Sequence, residues 1–441
     1  MTSAYLQVKW KGKPHFLRMP KDVVECMSSD ERRRHYGMRE PVYEMKRAIY
    51  GHQESGKLFI EEFMEHMVKN GWIQMECDRA VLKRGDEMAC TYVDDVLTST
   101  GRSKIVEDEI RERFLIGKFE KCVSFLGMSI RRCGDYADIS NEAYIDAIAE
   151  GYKEAFGYEC KQAWSPLTTQ PSGGEKSDPK REVMSMLGMI NWVARTSRPD
   201  VMAPFSMLAS CLHKWDGDCD QQLQRLIGYL VRTKGYRLRL NKVDSDKGRL
   251  VVCTDANWGA VGSRAGFIIG LAGEDGKLVS PMAWFSKKID LTPDSTAGGE
   301  WIGLVSGAKA AYAMEEMFWN GSGPIEVFSD NMAIIRAVRK GYSKALVAYQ
   351  KATGTSIQQV TQMVGKGIFR ISHVRSEDNG SDVFTKVLGP LKMQHLRTLC
   401  CLVLDDAALP ESTDDFNKEE CSTIGYSYDM LKSILSISPT Q

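Results

Sequence analysis

Apolar residues recur at helical spacing after a turn in residues 42–70, which predicts one amphipathic helix. Over 79–97 the rhythm shortens to alternating runs around the polar tip "KRGDE", predicting two strands, and the second ends in the acidic pair Asp94 and Asp95. Neighbouring side chains on a strand point to opposite faces, so such a pair belongs at a hairpin, with one carboxylate available to any given site. Taken alone, "TYVDDVLTST" is also satisfied by a solvated surface turn. A charged helix is predicted over about 103–114, and "VSFLGMSIRR" with "DYADIS" reads as a further hairpin. Residues 161–182 are rich in Pro, Gly, Ser and charge and predict a linker, followed by apolar-periodic helices near 183–213 and 217–233.

From residue 249 the pattern changes again. "RLVVCTDANW", "AGFIIGLAG" and "PMAWFSKK" are three strands at hairpin spacing, followed by a helix from about 298, the strand "IEVFSD", helices to about 365 and the strand "IFRISHVR". This is an α/β unit with an initial antiparallel meander. Four carboxylates stand at element ends within it: Asp255, Glu300, Asp330 and Asp382. Adjacent strands would bring Asp255 and Asp330 to neighbouring carboxyl ends, where α/β folds place their sites. Each of the four could equally be a helix cap or a solvated turn residue. Together, with no matching Lys or Arg in view, they suggest a metal site, because a bound divalent cation relieves their repulsion. Oxygen ligands without a His or Cys cluster select Mg²⁺, with Mn²⁺ as a substitute.

Composition narrows the class without fixing it. The 441 residues carry 58 Lys plus Arg and 58 Asp plus Glu, so a nucleic-acid partner would be held by local basic stripes and not by net charge. Twelve cysteines without zinc-type spacing, and no apolar run of membrane-span length, predict a soluble intracellular protein of the cytoplasm or nucleus. Seven acidic residues crowd positions 405–420, which predicts a solvated tail.

"CTDANWGA", "RAGFIIG", "PMAWFSKK", "GGEWIGL", "VFSDN" and "SHVRSEDNGSDVFTK" together resemble the ribonuclease H domain of copia-type retrotransposon Pol proteins, in order and spacing. "YEMKRAIYGHQESGKLF", "YVDD", "FLGM" and "TSRPDVMAPFSMLA" resemble the reverse transcriptase and connecting region of the same proteins. The resemblance runs from about residue 3 to 400. It implies a mixed α+β and α/β multidomain chain: a partial reverse transcriptase palm over 1–133, a thumb or connection region over 134–245, a ribonuclease H-like five-stranded mixed sheet with helices over 246–395, and an acidic tail over 396–441. It implies that Asp255, Glu300, Asp330 and Asp382 are metal-binding and catalytic, that Asp94 is a polymerase metal ligand, and that Asp95 is its less critical neighbour. The implied partners are an RNA/DNA hybrid, an RNA template and a DNA primer, with no membrane. The expected activity is Mg²⁺-dependent cleavage of RNA in hybrids; a catalytically inert or co-opted nucleic-acid-binding remnant is the alternative.

The chain departs from that pattern in places. The polymerase aspartate that precedes a segment like "SAYLQ" would fall before Met1, and Asp22 and Asp30 lie too far along to replace it, so polymerase activity is expected to be defective. "YGHQE" places His52 and Glu54 where template or nucleotide contacts are implied, and Ala345 and Leu346 stand where a histidine is common. Lys46, Arg47 and Lys57 could track a phosphate backbone or simply be solvated. Tyr50 and Trp72 read as core aromatics with stacking on bases as the alternative, Trp258 and Trp284 as core, and His373 as structural or as an acid beside Asp382.

Overall fold

The computed structural model describes residues 1, 3–175, 179–244, 248–258, 262–289, 296–318 and 323–404. The chain folds as two compact units, Met1–Cys122 and Val123–Gln441.

The first unit is built on a helix and a meander. Helix α1 (Ser55–Lys69) buries Phe59, Phe63 and Met67, four residues apart on one face. The strands β1 (Ile73–Gln74), β2 (Val81–Arg84), β3 (Glu87–Tyr92) and β4 (Asp95–Ser99) form one antiparallel sheet in sequence order. Helix α2 (Ser103–Arg111) closes the unit by burying Val106 and Ile110 against the same core as α1. The alternating pattern predicted the hairpin β2–β3, but a second hairpin follows: Tyr92 pairs with Asp95, leaving Val93 and Asp94 as a two-residue turn.

The second unit begins with β5 (Ser124–Phe125), β6 (Met128–Cys133) and β7 (Tyr136–Ser140), then helices α3 (Glu142–Phe156), α4 (Arg181–Thr196), α5 (Met202–Ala209) and α6 (Gly217–Arg232), and strand β8 (Tyr236–Asn241). The mixed layer follows with β9 (Arg249–Asn257), β10 (Arg264–Ala272), β11 (Leu278–Lys288), α7 (Thr296–Phe318), β12 (Ile325–Ser329), α8 (Met332–Lys340), α9 (Val347–Thr353), α10 (Ile357–Gly365) and β13 (Phe369–His373). A 3₁₀ turn at Gly380–Phe384, helix α11 (Pro390–Leu399) and strand β14 (Leu402–Leu404) complete it. One sheet has the order β11-β10-β9-β12-β13, antiparallel across the first three strands and parallel from β9 to β13. This is a mixed five-stranded sheet with helices, as the resemblance implied for this part of the chain. Alternation along β9 and β10 splits the core: Val252, Phe267 and Ile269 pack beneath α7, whereas Cys253 and Ile268 face the helices α3–α6 and α11.

The second sheet has the order β14-β8-β7-β6-β5, so Leu238 of β8 is paired with Ile139 on one side and Leu402 on the other. The expected divisions near 133 and 245 therefore fall inside one unit, because this sheet and the helical core use residues from both sides of them.

Two further expectations are corrected. The segment 161–175 is no free linker: Ala163 and Leu167 are buried, Arg225 donates to Ser165 at 2.8 Å, and Gln222 donates to Thr168 at 2.9 Å. Its polar composition hid the two apolar anchors. Of the tail expected over 396–441, residues 396–399 lie in α11 and 402–404 in β14; the acidic stretch from Asp405 lies outside the described residues.

The helix expected over 183–213 is interrupted at Ser197–Arg198–Pro199, where the residue before proline is driven out of the helical region. The interruption holds a buried polar network. Arg198 grips Asp200 through two bonds at 2.9 and 2.7 Å and donates to the Thr233 carbonyl at 2.9 Å. Tyr229 donates to Asp200 and accepts from Arg397 at 2.9 Å. Burial would raise the Asp200 carboxyl, but the Arg198 guanidinium outweighs it and holds the group below the usual carboxylate range.

Candidate functional site

Asp255 lies near the carboxyl end of β9 and Asp330 directly follows β12. The parallel pairing of these strands, with Cys253 beside Phe328, brings the two ends together. Glu300 sits in the first turns of α7, and α7 reaches β9 closely because Gly307 has no side chain: a Cβ there would come within 2.8 Å of Val252 Cγ1. As a result, carboxylate oxygens of Asp255, Glu300 and Asp330 all lie within 4.8 Å of one another. Among the described residues this is the only group of three or more His, Cys, Asp or Glu side chains so arranged.

The segment 380–386 also packs against Asp255. It can approach because Gly266 faces it across β10, where a Cβ would meet Phe384 Cβ at 2.3 Å. Thr385 donates its hydroxyl to Asp255 Oδ2, and the Lys386 ammonium donates to Asp255 Oδ1 at 3.4 Å. Lys386 also donates to Asp382 Oδ1, and Lys392 donates to Asp382 Oδ2 at 2.6 Å.

Burial sets the protonation chemistry. Glu300 is only 6% exposed; burial first, and then the charges of Asp255 and Asp330, push its carboxyl up to about 9. Burial also raises Asp255, against the opposing pull of Lys386. Glu300 Oε2 is buried without a hydrogen-bond partner. An orphaned carboxylate oxygen among two further carboxylates is a hard-oxygen donor set, which fits a divalent cation of the Mg²⁺ type.

The four expected carboxylates are thus not equivalent. Three converge, while Asp382 stands beside them, fully buried, with each oxygen engaged by a lysine. The expectation of a set lacking a matching cation is corrected here: Lys386 and Lys392 supply it. The signal was present in "SDVFTK", where Lys386 follows Asp382 by one helical turn.

In the first unit, Asp94 occupies the β3–β4 turn after Val93, whose φ of 54° is unusual for a β-branched residue. The Tyr50 hydroxyl lies 2.7 and 2.8 Å from its two carboxylate oxygens, and the Ala4 N–H donates at 3.1 Å. Asp95 opens β4 with an exposed side chain. Tyr50 is 47% exposed, so it is not a core residue, whereas Trp72 is buried as expected. Of the basic candidates, Lys46 pairs with Glu44, Arg47 donates to the Leu6 carbonyl at 3.0 Å, and Lys57 lies 3.8 Å from Glu61. Trp258 is 58% exposed and also departs from the core assignment, because it follows the last paired residue of β9. Trp284 is half-buried and donates to the Ala194 carbonyl at 2.7 Å. His373 ends β13 exposed, and Leu346 is a buried core residue.

The chain is similar to retrotransposon Pol proteins. It is 24% identical over 371 residues to the retrovirus-related Pol polyprotein from transposon RE2 of Arabidopsis thaliana, covering 80% of this chain and 25% of that protein. A transposon Ty5-1 protein of Saccharomyces cerevisiae is 26% identical over 263 residues, covering 56% of this chain and 82% of that protein. The chain therefore spans about a quarter of the Arabidopsis relatives it matches. No protein-family model matches it. Among solved structures, a foamy viral protease-reverse transcriptase in complex with an RNA/DNA hybrid aligns with 85% of this chain and 46% of that chain at 16% identity and a TM-score of 0.45. RNase H1 from Halobacterium salinarum aligns with 31% of this chain and 94% of that chain at 15% identity and a TM-score of 0.23. Among the described residues no helix is long and apolar enough to cross a membrane.

Proposed function

We propose that the second unit is a ribonuclease H-type nuclease that cuts the RNA strand of an RNA/DNA hybrid, and that the chain is part of a copia-type retrotransposon Pol protein. The observation that carries this reading is the convergence of Asp255, Glu300 and Asp330, with oxygens within 4.8 Å of one another and Glu300 Oε2 left without a partner. These three residues would hold Mg²⁺, or Mn²⁺ in its place. A divalent cation bound there polarises a phosphodiester and lowers the pKa of water.

The chain's own groups prepare that chemistry. Thr385 fixes the rotamer of Asp255 through Oδ2. Glu300, pushed up to about 9 by burial and the neighbouring carboxylates, holds a proton at neutral pH in the metal-free protein and would have to release it to serve as a ligand. The hybrid would be recognised by phosphates, 2′-hydroxyls and duplex shape, without base reading. Lys46, Arg47 and Lys57 of the first unit are candidates for phosphate contacts, and their competing internal partners are exposed ones that a phosphate can replace.

A polymerase function is not proposed for the chain. Asp94 already accepts from Tyr50 and from Ala4, and it belongs to no cluster of three potential ligands among the described residues. A second reading, hybrid binding without cleavage, is favoured by one observation: Asp382 is neutralised by two lysines. The deciding experiment is incubation of the full chain with a labelled RNA/DNA hybrid and Mg²⁺ or Mn²⁺. Cutting of the RNA strand that disappears in Asp255→Asn supports the nuclease; an intact hybrid with retained binding supports the second reading.

A further inference from the structure

We infer that Lys386 occupies the place of a second cation in this site, so that the chain binds one divalent metal ion, between Asp255, Glu300 and Asp330, and not two. The inference rests on the nuclease reading for the existence of the metal site and goes beyond it in assigning its stoichiometry.

A carboxylate pair that shares one cation needs that cation between them, and the Lys386 ammonium is so placed, 3.4 Å from Asp255 Oδ1 and bonded to Asp382 Oδ1. The other oxygen of Asp382 is taken by Lys392 at 2.6 Å, so a metal would have to displace a lysine from either oxygen it approached. Asp382 is fully buried and cannot turn to solvent to offer a free one.

The position of Lys386 is also fixed through its backbone. Its N–H donates to the Asp382 carbonyl at 3.2 Å, and the preceding residue, Thr385, is anchored on Asp255. The stem thus rises from a turn that is itself tied to both carboxylates.

Charge points the same way. Four carboxylates, Asp255, Glu300, Asp330 and Asp382, face two ammonium groups, Lys386 and Lys392. When all are ionised the excess is two negative charges, which one divalent ion neutralises. A second would overcharge the site by two before any phosphate arrived.

The test counts metal. The full chain is titrated with Mn²⁺ and free ion is read from its electron paramagnetic resonance signal. Site-bound ions are counted as those lost in Asp255→Asn, which removes the contribution of weakly binding surface acids. The wild type should lose one Mn²⁺ and show a mononuclear spectrum. Lys386→Arg should also lose one, and Lys386→Met, which removes the ammonium while keeping much of the stem, should lose two. A wild type that loses two, or shows the spin-coupled spectrum of a metal pair, overturns the inference and leaves the nuclease reading standing. A folded Lys386→Met protein that still loses one also overturns it. If Lys386→Met does not fold, the wild-type count and spectrum decide alone. A wild type that binds no Mn²⁺ sensitive to Asp255→Asn removes the metal site, and the nuclease reading falls with it.

Discussion

The Tyr50 hydroxyl sits 2.7 and 2.8 Å from the two carboxylate oxygens of Asp94, so the residue expected to serve a polymerase is engaged by its own unit. Partial loss of water around this half-exposed ring, followed by the bond to Asp94, pushes the Tyr50 phenol up to about 12, so it remains a donor throughout the physiological range. The expected outcome is no measurable primer extension by the full chain on an RNA template with Mg²⁺ or Mn²⁺. Tyr50→Phe should not restore it. Extension that vanishes in Asp94→Asn would contradict this.

Asp255→Asn and Asp330→Asn should each reduce hybrid cleavage by roughly 10²–10³-fold or more, the scale of losing one preorganised electrostatic group at a reacting centre. Hybrid affinity should stay level or rise, since each change removes a negative charge near phosphates. Single-turnover cleavage and filter binding on the same preparations separate the two effects. A contaminating nuclease would be indifferent to both substitutions.

The buried Glu300 makes a pH prediction for the metal-free chain. Its carboxyl is raised to about 9 in the folded protein, against 4.5 as the ordinary value, so between these limits the folded state holds a proton that the unfolded state has released. Stability should therefore fall as pH rises through that window, by at most about 1.4 kcal/mol per pH unit, and level off above it. Glu300→Gln should flatten the slope in urea unfolding midpoints measured from pH 5 to 9. An unchanged slope would show that Glu300 does not carry the proton.

Asp200 neutralises Arg198 at 2.7 Å inside the helical core, and its removal would strand a buried guanidinium. Asp200→Ala should destabilise the protein by about 3–5 kcal/mol, the usual result of breaking a buried pair from one side. The double change Arg198→Met with Asp200→Leu should cost less than Asp200→Ala alone. Denaturant unfolding of the wild type and these two variants checks this.

The parts of the site that were legible in the sequence were those controlled by strand and helix ends. Asp255 and Asp330 follow apolar runs that could only be strands, and Glu300 opens an apolar helix. Alternation and periodicity report such positions directly. What was not legible was decided by tertiary contact. Lys386 was visible as a residue but not as a partner of Asp255, because that contact depends on Gly266 admitting Phe384 against β10. Trp258 is apolar by type yet exposed, since the strand pairing stops one residue before it. Strand β8 is short and follows a helix directly, so the clean alternation of "YRLRLN" does not stand out, and the polar residues of 161–175 conceal the anchoring of Ala163 and Leu167.

The pairing of Leu238 with Ile139 and Leu402 has a consequence for how the molecule is made. Strand β8 emerges from the ribosome well before its second partner: one of its edges stays open until residues 402–404 follow, and Leu396 and Cys400 add to the core that α4 and α6 begin. The second unit thus cannot mature strand by strand during synthesis. One edge of β8 stays unpaired for more than a hundred and sixty further residues. Such delayed long-range closure slows folding and favours aggregation of nascent chains. Truncation between 250 and 400 is therefore expected to lower the soluble fraction of the expressed chain, which fractionation of the product against the full chain would check.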